Sequence, residues 1–74
     1  MTPTALRHLL ASILTAAAGH DEAYWLEQIG EVEALPVWNN VQSNWRVSPI
    51  ATGDDLHAIT RAVEIVRSEH PYVD

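Results

Sequence analysis

The chain has 74 residues, with ten acidic side chains against four basic ones, a formal charge of −6 and no cysteine. That length restricts it to one thin core, because a domain of this size buries only about 60% of the surface its unfolded chain exposes; the missing cysteines exclude disulfides and thiolate zinc sites as reinforcement. All four bases are arginines, scattered at positions 7, 46, 61 and 67, which excludes a phosphate-backbone footprint and disfavours anionic membrane surfaces.

A first helix is expected from Thr2, a good N-cap, with Pro3 at the first helical position where its missing N–H costs nothing. Leu6, Leu10, Ile13 and Ala17 recur at helical spacing and Leu9 and Leu14 widen the stripe, so this helix reads as buried on more than one side. Residues 1–19 imitate a secretory signal peptide, yet their spacing fits an amphipathic helix, and the apolar stretch is shorter than the roughly 20 residues that span a bilayer. Gly19 is placed to end the helix.

Asp21 and Glu22 suit the start of a second helix, as a cap and as charges favoured by the positive end of the helix dipole. Trp25, Ile29 and Val32 share its inner face. Gly30 weakens it by up to about 1 kcal/mol relative to alanine, so the helix ends there or runs on unevenly to Leu35.

Residues 34–53 contain one charged side chain, Arg46, with three asparagines, two prolines and two tryptophans. In one reading Pro36 opens a short helix whose face is Trp38, Val41 and Trp45. In the other, Asn39-Asn40 is a tight turn between strands near Leu35–Trp38 and Val41–Val47. We favour the short helix, followed by an extended segment through Pro49. The last helix is capped by Thr52 or Asp54, buries Leu56, Ile59, Val63 and Val66, turns Asp55, Arg61, Glu64 and Arg67 outward, and is stopped by Pro71. The expected fold is mainly α, a single domain over residues 1–74 of three to four short helices in a small bundle, with residues 34–53 irregular or a β-hairpin, the latter making it α+β.

After that helix, His70-Pro71-Tyr72 resembles the helix followed by His-Pro-Tyr in the CutA family of small trimeric proteins. The likeness covers the end of the last helix and the tail only. The preceding strands of that family are not recognisable here, and no function is carried over from it. The absence of lysine and the alanine-rich first helix suggest a GC-rich bacterial gene.

Five acids lie between positions 21 and 33 with no base among them, and Glu27 and Glu31, if on one helix, face each other at a small cost that a cationic partner would relieve. Three consecutive ligands, His20, Asp21 and Glu22, point about 100° apart on a helix and cannot converge on one ion; no metal site or cofactor is expected. Ser12, Ser43, Ser48 and Ser68 lie in no nucleophile motif, so no catalytic residue is assigned. Tryptophan fills volume that a small core needs, but Trp38 or Trp45 could instead be an exposed anchor, with Arg46 beside it.

The resulting expectation is a non-enzymatic, cytoplasmic interaction module resembling small inhibitors, immunity proteins or antitoxin subunits. It would bind a protein partner or a copy of itself through Glu22, Glu27, Glu31, Trp38, Trp45 and Arg46. One alternative is a ligand-binding or catalytic homo-oligomer with His20, Asp21, His57 and Arg61 gathered at a subunit boundary. The other is a structural subunit of a larger complex, for which the apolar first helix is the cue.

Overall fold

The computed structural model describes all 74 residues and is mainly helical, with one small antiparallel hairpin. Helix α1 spans Pro3–Ala18; the Thr2 hydroxyl accepts the Ala5 N–H at 3.1 Å, and Pro3 occupies the first turn as expected. Leu6, Leu10, Ala11 and Leu14 are buried and Leu9, Ile13 and Thr15 half-buried. At 100° per residue these side chains wrap more than half of the helix. Ala16–Ala18 are the exception: the last turn is exposed, including Ala17, which the spacing assigns to the buried stripe.

Gly19 (φ 83°, ψ −165°) and His20 (φ 62°) then reverse the chain. The Gly19 conformation combines positive φ with extended ψ, a region essentially closed to residues with a Cβ. The Trp25 indole N–H donates to the Gly19 carbonyl at 2.6 Å and fixes this turn against helix α2, Glu22–Ile29. Asp21 caps α2 by accepting the Tyr24 N–H at 2.9 Å. The helix stops at Ile29 because Gly30 (φ 74°, ψ −153°) leaves helical space, so it does not run on to Leu35. Val32 is buried as expected, but from a strand.

Strand β1, Val32–Ala34, pairs antiparallel with β2, Trp45–Val47, in the register Val32↔Val47, Glu33↔Arg46, Ala34↔Trp45. The Leu35 N–H donating to the Asn44 carbonyl at 2.7 Å extends the ladder by one rung. Neither expectation for this region is complete. A short helix followed by an extended segment is present, but the helix is one 3-10 turn, Val37–Asn39, and Trp38, Val41 and Trp45 share no face: the first two are 78% and 70% exposed and the third 1%. A hairpin is also present, and β2 lies within the expected Val41–Val47, but β1 precedes the expected Leu35–Trp38 and Asn39-Asn40 is not a tight turn joining the two strands.

Helix α3, Gly53–Glu69, packs on α1 through Ile59, Ala62, Val63 and Val66. Leu56, expected in that stripe, is 39% exposed; it sits in the first turn at the edge of the buried arc, and Ala62 takes the fourth core position. Arg67 is half-buried rather than solvated. The tail is drawn back over the hairpin by Asn44, a buried polar side chain. Its Oδ1 accepts the Val73 N–H at 2.6 Å, its Nδ2 donates to the Val73 carbonyl at 2.9 Å, and its own N–H donates to the Pro71 carbonyl at 3.1 Å. Asn44 thereby binds Val73 as a neighbouring strand would.

The accessible surface is 4536 Å² for 8.2 kDa, against about 4,500 Å² expected of a compact monomer of that mass. The chain reaches that value alone, with 14 hydrophobic residues in one core cluster. Replacing Asn44 with alanine orphans a buried N–H and a buried carbonyl, each worth about 1–3 kcal/mol. Urea unfolding of N44A should therefore show a loss of about 2 kcal/mol or more, whereas N39A, on the exposed loop, should stay within about 0.5 kcal/mol of the parent.

Candidate functional site

The three tryptophans have two different fates. Trp25 and Trp45 are 0% and 1% exposed, and each indole N–H is satisfied by a backbone carbonyl, Gly19 at 2.6 Å and His70 at 2.8 Å. Arg67 covers Trp45, its Cζ 4.4 Å from the ring centroid, while its Nη2 donates to the Trp45 carbonyl at 2.9 Å and its Nε to the Ser43 hydroxyl at 3.0 Å. Trp45 is therefore a core residue and offers no surface anchor. Trp38 is 78% exposed.

The loop that carries Trp38 is braced from both sides. Pro36 enters the 3-10 turn at φ −62°, the Asn40 N–H donates to Val37 O at 3.0 Å and its side-chain amide to the Pro36 carbonyl at 2.8 Å. The Tyr72 hydroxyl, from the tail, donates to the Val41 carbonyl. Val37, Val41 and Tyr72 are 51%, 70% and 46% exposed, so the braced loop and the tail residue Tyr72 together hold four large side chains at the surface. Beside it lies an open basin of about 470 Å³, lined by the polar side chains of Asn39, Asn40, Gln42 and Ser43, with Arg67 and the edge of Trp45 at its base.

The acidic side is largely spoken for within the chain. Glu22 lies 3.0 Å from His8 Nδ1, Glu31 lies 3.9 Å from Arg7 Nη1, and Glu33 accepts from Arg46 Nε at 2.8 Å across the ladder. Asp21 is the α2 cap. Glu27 alone of the five has no such partner. The expected Glu27–Glu31 repulsion on one helix does not arise, because Glu31 lies beyond the Gly30 break. Arg46 points away from its neighbour Trp45, as alternation along β2 requires, and the Glu33 carboxylate raises its pKa through a hydrogen bond reinforced by charge. Of the expected surface set, then, Trp38 and Glu27 are free, Glu22, Glu31 and Arg46 are paired within the chain, and Trp45 is buried.

His20, Asp21, His57 and Arg61 do not share a cavity. His20 stacks on Tyr24 with ring centroids 3.9 Å apart; Asp21 caps α2; His57 is exposed on α3; and Arg61 lines an apolar groove between α1 and α3. No group of three or more His, Asp or Glu side chains is arranged to hold a metal ion, and no helix is long and apolar enough to cross a membrane. Sequence reasoning missed one polar contact here. The Tyr24 hydroxyl, from α2, donates to the Asp55 carboxylate in the first turn of α3; their separation of 31 positions leaves no local signal. Comparison with family models, with curated proteins and with solved structures finds no match, so the likeness of His70-Pro71-Tyr72 to the CutA family remains that of a short motif.

Asp55 holds the Tyr24 pKa above its ordinary value of about 10, first by the hydrogen bond, then by desolvation and by charge. A raised folded-state pKa means that the Tyr24–Asp55 contact contributes below pH 10 and is lost as the pH rises through the folded value. Absorbance titration of the tyrosines near 295 nm should show a component ionising above pH 10 in the parent, returning toward 10 in D55A.

Proposed function

We propose that this chain is a non-enzymatic interaction module whose contact surface is the braced Trp38 loop. The observation that carries the reading is that the chain buries Trp25 and Trp45 completely yet holds Trp38 78% exposed in a loop fixed by Pro36, Asn40 and Tyr72. A large apolar side chain left in water costs free energy that a partner can recover, and tryptophan at the centre of an interface is among the commonest hot spots. Bracing lowers the ordering cost of association. Val37, Val41 and Tyr72 widen the patch, and the Asn39, Asn40, Gln42 and Ser43 side chains supply a polar rim able to donate and accept.

The partner favoured by this surface is another protein. A net charge of −6 steers basic proteins toward the chain at long range, with Glu27 as the unpaired acid of α2. The contact itself is apolar and amide-rich. This outline suits small inhibitors, immunity-type proteins and antitoxin-like subunits, and it also admits a second copy of the chain. A cytoplasmic location and a bacterial source complete the proposal and rest on composition alone.

The test compares the parent with W38A. Because Trp38 contributes little to the core, W38A should unfold within about 0.5 kcal/mol of the parent. A hot-spot tryptophan is worth about 2 kcal/mol or more, so W38A should lose about 30-fold in affinity. Affinity capture from cells that express the chain, run for both variants alongside light scattering for self-association, reads the difference. A protein or self-complex that is retained by the parent and lost from W38A supports the proposal; the same complexes retained equally by both variants would refute it.

A further inference from the structure

A second surface feature, the groove between α1 and α3, lies apart from the Trp38 loop, and its role is independent of that loop's. The groove holds about 300 Å³ and is lined by eight residues, seven of them hydrophobic. Leu14 and Ala62, 2% and 3% exposed, form its floor. From α3, Ala58, Arg61, Ala62 and Ile65 fall at i, i+3, i+4 and i+7 and so share one face; from α1, Ile13, Ala17 and Ala18 complete the walls. Ala17 and Ala18 are exposed and Ile65 is 54% exposed, so this apolar seam has no cover.

The polar member of the groove is also the uncommitted cation of the chain. Arg7 binds the Leu26 carbonyl at 2.6 Å and lies near Glu31, Arg46 binds Glu33, and Arg67 binds Ser43 and the Trp45 carbonyl. Arg61 alone has neither a salt bridge nor a hydrogen bond, although ten acidic side chains are present in the sequence. An apolar seam with an unpaired guanidinium in its lining is complementary to an apolar body with an anionic head.

We propose that the α1/α3 groove binds a free alkyl carboxylate of octanoate size, its chain along Leu14, Ala17, Ala62 and Ile65 and its head on Arg61. The volume lies at the lower end of small-molecule sites. The planar fork of arginine suits a carboxylate; a free alkyl carboxylate brings one charge, matched by Arg61, whereas an anionic bilayer brings many against the net charge of −6.

The experiment is a titration of the full chain with hexanoate, octanoate and octanol below their micelle or solubility limits, followed by amide NMR shifts. Octanoate should produce saturable shifts at Ala17, Ala18, Ala58 and Ile65, and bind up to about 15-fold more tightly than hexanoate, from about fourfold per buried methylene. Octanol and the R61Q variant should each lose up to about fivefold, the worth of an exposed ion pair, because the anionic head is missing in the one and its cationic partner in the other. A17L, at an exposed helical position, keeps the fold and should block the groove. The proposal is overturned by the absence of saturable groove shifts, by equal octanoate affinity in A17L or R61Q, or by a parent dimer that A17L dissociates and octanoate leaves intact, which would make the seam a self-interface. Binding to anionic vesicles in preference to free octanoate would overturn it equally.

Discussion

Trp45 is where the hairpin, the last helix and the tail meet. Its indole N–H holds the His70 carbonyl, its backbone carbonyl receives Arg67, and the Arg67 guanidinium lies over its ring. The adjacent Asn44 closes the same junction by binding both polar groups of Val73. A two-stranded hairpin is marginal by itself in water; here the outer edge of β2 is occupied by an arginine from α3 and an asparagine-bound tail, so that strand is not left to pair elsewhere. The end of α3 is likewise anchored, since Arg67 sits in its last turn. Removing this cluster would free strand, tail and helix end together.

The other half of the fold is organised by α1, which packs on α2, α3 and β1. Arg7 locks α1 to the end of α2 by donating to the Leu26 carbonyl, which also accepts the Gly30 N–H at 3.1 Å. A cation there is favoured by the negative end of the helix dipole. Much of this half was legible in the sequence, because its determinants are local: Thr2 with Pro3, Asp21 with Tyr24, and glycines at both helix ends lie within a few residues of what they control. The limits of that legibility are equally physical. Periodicity assigns a face to Ala17 and Leu56, but it does not say where the neighbouring element stops, and both residues sit in terminal turns that their neighbours do not cover.

Residues 34–53 resisted reading for the opposite reason. Their conformation is decided by partners far along the chain: Trp45 by His70, Ser43 by Arg67, Asn44 by Val73, Ile50 by Gln28. Alternation at Val41, Ser43, Trp45 and Val47 was a true signal over only its last part, where Trp45 and Val47 enter β2, and it failed at Val41, which is exposed. The acidic run failed similarly as a guide to the surface. Glu22, Glu31 and Glu33 look unopposed in sequence, but their partners His8, Arg7 and Arg46 come from other elements.

The division among the tryptophans bears on function because it separates two explanations that composition cannot. If all three had served the core, the nearly uncharged segment would be ordinary packing material. Instead the core is complete without Trp38: the chain already reaches the surface area of a compact monomer, and the N–H of each buried indole is satisfied. Pro36, Asn40 and Tyr72 nevertheless hold the Trp38 loop in one arrangement. Hydrogen bonds that brace an exposed loop add little to a core they do not touch, but they reduce the freedom that the loop must surrender when something docks on it. Under the proposed reading, the braced, exposed tryptophan serves association and not folding.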